Sequence, residues 1–168
     1  MSAFVLAAVM ALLSACSSSQ SGNDQETLQR MAAADQEMLA AYNKFVSIKI
    51  QPGSGVEQAI SETEPAFDTL KAKYREWDVV SEELTFPEEA GDGLPSRGQI
   101  SDFRVAMTGF LNMNEAALAQ LKLCAQNYDP ALCVQQNTGP GKVFDVQAAQ
   151  QAAQDIARAR EPLRSPPQ

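Results

Sequence analysis

Apolar residues along this chain recur in alternating steps of four and three, the spacing that lays one stripe along one side of an α-helix. Leu28, Met31, Met38, Tyr42 and Phe45 follow it, with Asp35 in the remaining stripe position, and predict helix 1 over about 24–49. Val56, Ile60, Thr63, Phe67, Leu70, Tyr74 and Trp77 predict helix 2 over about 56–80. Pro65 lies off that stripe, and a period that continues through it predicts a kink rather than a break. Ile100, Phe103, Met107, Phe110, Asn114, Ala117, Leu121 and Cys124 predict the longest helix, helix 3, over about 98–127.

Breakers separate these stretches. Gln51-Pro52-Gly53-Ser54-Gly55 cannot continue a helix, and 81–98 reads as an acidic loop. Asn127-Tyr128-Asp129-Pro130 stops helix 3 and starts a short helix, with Asp129 as its cap and Pro130 in its first position. After Thr138-Gly139-Pro140-Gly141, an Ala- and Gln-rich helix 5 is expected over about 143–160. Its only larger apolar anchors are Val143, Phe144, Val146 and Ile156, so peripheral packing is expected. The pattern predicts an all-α fold: an up-down-up antiparallel helical bundle of three long helices, with a shorter C-terminal helix packed against it. The bundle domain covers 24–160, and 161–168 reads as a disordered tail ending in Ser165-Pro166-Pro167-Gln168.

Laid antiparallel, the stripes align as layers running from Leu28/Trp77/Ile100, through Met38/Phe67/Phe110, to Tyr42/Thr63/Asn114 and Phe45/Ile60/Ala117. Tyr42, Thr63 and Asn114 form a polar layer that would fix register; the alternative is a small polar ligand site. Asp35 finds no polar partner in its layer, so Lys71 or Arg104 is expected to reach it from a flanking position. Helix 5 is expected to return along the half that contains Asn114 and Leu121. That leaves Asp35, Tyr74, Trp77 and Phe103 an open side unless the acidic loop folds over it.

Before the bundle, Ala3–Leu13 is an apolar run about half as long as the ~30 Å hydrocarbon core of a bilayer, so it cannot span one as a helix. It ends in Leu13-Ser14-Ala15-Cys16, followed by a small polar tract, Ser17–Asn23. This segment resembles the signal and lipobox of bacterial lipoproteins. The resemblance implies a signal peptide over 1–15, removed by cleavage before Cys16, and a cysteine thiol and amino group that carry acyl chains such as palmitate. It also implies a flexible tether over 16–23. No Lys or Arg precedes the run, and the true start is expected further upstream. Ser17 in place of Asp after the cysteine implies the outer membrane, facing the periplasm, if the envelope is Gram-negative. Export implies an oxidising compartment, in which Cys124 and Cys133 are the remaining cysteines and are expected to pair; the alternative is two buried free thiols.

Composition narrows the function. The 168 residues hold 21 acidic and 13 basic side chains, a formal charge of -8, which opposes nucleic acid and anionic lipid surfaces. There is no histidine, which removes the commonest general base and the commonest transition-metal ligand; no catalytic residue, metal site or cofactor is expected. The expected function is a lipid-anchored cell-envelope binding or assembly module, of accessory, inhibitor or immunity type. The alternative is a helical-bundle carrier or enzyme using Asp35 or the Tyr42, Thr63 and Asn114 layer. The expected partner, besides the membrane at the anchor, is a basic envelope protein. It would bind at the tethered end, where Glu82, Glu83, Glu88, Glu89 and Asp92 adjoin the aromatic edge of Tyr74 and Trp77.

Overall fold

The computed structural model describes residues 22–49, 55–90 and 94–164. Five helices are present among them: α1 (Gly22–Val46), α2 (Val56–Glu82), α3 (Arg97–Ala125), α4 (Pro130–Gln136) and α5 (Val146–Arg164). Ion pairs give the directions. Arg30 meets Glu83 and Lys73 meets Glu37, so residue numbers rise on α1 as they fall on α2. Arg104 with Asp78, and Lys122 with Glu64, set α3 antiparallel to α2 in the same way. The all-α bundle read from the periodicity is what the chain adopts.

Local chemistry fixes the ends. Ser96 and Gln99 form a reciprocal capping box at the start of α3: the Ser96 hydroxyl accepts from the Gln99 amide and the Gln99 side chain accepts from the Ser96 amide. Asp129 accepts from the Leu132 amide at 3.0 Å and caps α4 as the sequence suggests. Pro65 sits inside α2, where it and Ser61 are exposed, so the carbonyl it frees lies on the wet side of the helix.

The fourth wall differs from expectation. Val143 and Phe144 are not part of α5; they belong to a connector in which Phe144 pairs with Thr138 as an isolated β-bridge, turned by Gly139 and Gly141 at positive φ. Asp145 starts α5 by accepting from the amides of Gln147 and Ala148, and also from that of Gly141. These backbone donors hold its carboxyl below the usual carboxylate range, Ala148 and Gly141 foremost. At its other end α5 runs through Pro162 to Arg164, four residues beyond the expected stop; the rest of the expected tail, 165–168, lies outside the described residues.

α5 is also not peripheral. Ile156 and Arg160 are buried, and the helix lies along α3 from Phe110 to Gln99, which carries its end to the side of the bundle where α1 begins. It closes a four-helix arrangement by reaching α1 through Arg160 and Asp35. The expected short return was wrong because α4 and the bridged connector use up chain before α5 begins.

The core follows the stripes, with Met38, Phe67, Leu70, Trp77, Ile100, Phe103, Met107 and Phe110 buried. The layers have slid, however. Phe45 packs against Phe67 and Phe110, at 5.4 and 6.0 Å between ring centroids, where Ile60 and Ala117 were expected. A heptad stripe matches itself again after seven positions, so apolar periodicity alone cannot choose between such registers.

Candidate functional site

The slide dissolves the expected polar layer. Thr63 Oγ1 donates to the Ala59 carbonyl at 2.7 Å, and Asn114 Nδ2 donates to the Phe110 carbonyl at 2.8 Å, each within its own helix. The Tyr42 ring lies against Phe110 at 5.4 Å, and burial raises the pKa of its phenol. No hydrogen bond joins the three residues. Local bonding of this kind satisfies a polar side chain on a helix without any partner helix.

Asp35 is paired, but by a residue the sequence did not single out. Arg160 of α5 donates from Nη2 to Asp35 Oδ2 at 2.9 Å, with the arginine side chain 7% exposed and the aspartate 33%. Lys71 and Arg104, the expected partners, are engaged with Glu115 and Asp78. The Lys71 ammonium donates to Glu115 and holds that carboxyl below its usual range. One signal for Arg160 was available: it stands four positions after Ile156, on the same face of α5.

Around Asp35 the end of the bundle where α1 begins is largely closed. Trp77 is wholly buried between Tyr74, stacked at 6.0 Å, and Phe103, edge-on at 4.9 Å. Tyr74 is nearly buried; its hydroxyl lies 3.3 Å from Thr108 Oγ1, and desolvation raises its pKa. These rings are core, so the aromatic edge expected to meet a partner is not on the surface. The loop after α2 folds inward, burying Phe86 and tying the Pro87 carbonyl to the Arg97 amide at 2.8 Å.

The acids divide. Glu82 ends α2, Glu83 pairs with Arg30, Glu88 pairs with Arg97 at 2.9 Å, and Glu89 is exposed. Asp92 and Cys16 lie outside the described residues. Between α1, the α2 end, this loop and α5 a cavity of about 300 Å³ remains, lined by Leu28, Met31, Asp35, Trp77, Phe86, Ile100, Leu163 and their neighbours.

The opposite end has another character. Cys124 and Cys133 form a disulfide that joins the end of α3 to α4, with their Cα atoms 5.4 Å apart. The residue before each cysteine, Leu123 and Leu132, is exposed, and Tyr128 within the closed loop is fully exposed. α4 buries none of its residues. Sequence reasoning found the disulfide but not this surface, because exposed apolar residues beside a turn have no periodic signature.

Among the described residues no helix is long and apolar enough to cross a membrane, and no group of three or more acidic or cysteine side chains is placed to hold a metal ion. Compared with known proteins, the chain matches no family model, no curated protein and no solved structure. Its function is therefore argued from its own residues.

Proposed function

We propose that the chain is a lipid-anchored binding or assembly module of the cell envelope, of accessory, inhibitor or immunity type, which meets a protein partner through its disulfide-closed end. The observation that carries this reading is the exposed set Leu123, Tyr128 and Leu132, held by the Cys124–Cys133 bond. A cross-linked loop loses little freedom on binding, so apolar and aromatic groups on it act as preorganised anchors.

The lipobox resemblance supports Cys16 as the membrane anchor, on the outer membrane facing the periplasm if the envelope is Gram-negative. α1 has 25 residues and so is about 38 Å long, and a bundle standing upright on its anchor would hold the disulfide end well clear of the bilayer. Because α1 begins at Gly22, two residues inside the tether expected over 16–23, only 16–21 are left for it, and they would add up to ~20 Å when stretched. A net charge of -8 favours a partner with a basic surface, through long-range steering rather than through any one ion pair.

The test places a photo-cross-linking residue at Tyr128, and as a control at exposed Gln147, in cells making the full chain. A discrete protein adduct at Tyr128 and none at Gln147 is expected. No adduct at Tyr128, or the same adducts at both positions, contradicts the reading. For the anchor, a Cys16→Ala chain is expected to leave the membrane fraction.

A further inference from the structure

We propose that the pocket between α2 and α3 binds a carboxylate that stands next to an amide, as in an N-acylated amino acid or the last residue of a peptide. The inference does not depend on the partner surface at the disulfide-closed end. Lys71 and Arg75 of α2 line the pocket together with Thr108, Asn112 and Glu115 of α3, around a volume of about 260 Å³. Sites for drug-sized molecules run from ~300 to ~1,000 Å³, so this one suits a ligand of few heavy atoms.

The charge of the head group follows from the lining. Lys71 is engaged, since it donates to Glu115. Arg75 is exposed and makes no hydrogen bond or ion pair with another described residue. Both cations stand near the one carboxylate: Lys71 foremost, and Arg75 after it, hold Glu115 below the usual carboxylate range. The lining therefore carries one positive charge in excess, within a chain whose formal charge is -8. A carboxylate matches that excess, and the forked guanidinium of Arg75 can hold it through two parallel N–H donors. A phosphate monoester, at about -1.5 to -2, exceeds it and is repelled by Glu115. A cationic head group is excluded as well, because the lining's one carboxylate already holds Lys71.

The neutral walls describe the rest of the ligand. Asn112 is exposed, and no described residue bonds its side-chain amide. A carboxamide both donates and accepts, so an amide in the ligand matches it on both counts. Thr108 Oγ1 lies 3.3 Å from the Tyr74 hydroxyl and, as a hydroxyl, has capacity for a further partner. Tyr74 and Leu111 add apolar surface for a small side chain.

The experiment titrates isotope-labelled, purified full-chain protein with N-acetylalanine and follows the Thr108 and Asn112 signals by nuclear magnetic resonance. N-acetylalaninamide removes the charge and keeps the rest, and glycerol 3-phosphate supplies the dianion. Saturable shifts at both residues with N-acetylalanine, none with N-acetylalaninamide, and weaker binding of glycerol 3-phosphate are expected. Arg75→Gln should weaken N-acetylalanine binding about tenfold with the unfolding midpoint unchanged, because Arg75 holds no other described residue. Glu115→Gln raises the excess to two positive charges, so glycerol 3-phosphate should then bind at least as tightly as N-acetylalanine. N-acetyltetraalanine separates the two sources: binding at least as tight as that of N-acetylalanine assigns the pocket to a chain end, and weaker binding assigns it to the free compound. No saturable shift, equal binding of N-acetylalaninamide, tighter binding of glycerol 3-phosphate by the native chain, unaltered binding by Arg75→Gln, or an unchanged order of preference in Glu115→Gln would each overturn the proposal. The Glu115→Gln order decides even if Arg75→Gln fails to fold.

Discussion

From the end where α1 begins to the middle of the bundle, Met38, Leu70, Trp77, Phe103, Met107 and Ile156 are shut off from solvent, whereas at the opposite end the one comparably buried side chain among the described residues is Cys124. The first region is held by packing: each large apolar side chain fully buried there contributes about 1.5–3 kcal/mol. The second exposes Leu123, Tyr128 and Leu132 and is closed by a covalent bond. The difference teaches that a surface kept free for contact cannot also serve as core, so its order has to come from another source. The disulfide supplies that order.

Substitutions at the two ends can break this comparison. Trp77→Ala should be the most damaging, by about 4 kcal/mol in urea unfolding, because it removes the largest buried side chain and empties the site between Tyr74 and Phe103. If it costs less than loss of the disulfide, packing does not dominate the end where α1 begins. Asp35→Ala should follow, at about 3 kcal/mol, since it strands the buried Arg160 charge. A value near zero would mean that Arg160 reaches water once its partner is gone.

Reducing the Cys124–Cys133 bond should cost about 2.5 kcal/mol on the chain-entropy account of so short a loop. The effect should be local, with amide exchange rising in α4 and the end of α3 and little changed around Trp77. Protection lost uniformly would show that the two ends are not separately held. The smallest effect belongs to Asp145. Its folded pKa is depressed, so its contribution to stability is present above the ordinary carboxylate range and lost as pH falls through the folded value. Acid titration should therefore loosen the first turn of α5 before the bundle, as amide exchange at Gln147 and Ala148 would record.

The helices and their stripes were legible because burial of a helix face imposes a period on the residues, and Trp77, Phe103 and Met107 obey it. Asp129 and Pro130 were legible because a cap is local chemistry. Register was not, since a stripe of apolar residues matches its neighbour again one heptad away. That degeneracy is why the Tyr42, Thr63 and Asn114 layer was expected and is absent. Helix 5 was misread through composition: Ala and Gln suggested a thin, peripheral face, yet small residues let α5 lie close along α3 while Ile156 and Arg160 do the burying. The Asp35–Arg160 pair joins residues 125 positions apart, and no local pattern announces such a contact.

Whether the disulfide-closed end is the contact surface and the aromatics at the other end are core is tested most directly by photo-cross-linking from both ends of the protein in cells making the full chain. A probe at Tyr128 and one at Glu89 would be compared in the native chain and in a Cys124→Ser/Cys133→Ser chain. An adduct from Tyr128 that is lost or strongly reduced without the disulfide, and none from Glu89 in either chain, is expected. An adduct from Glu89, or one from Tyr128 that is indifferent to the disulfide, would contradict it.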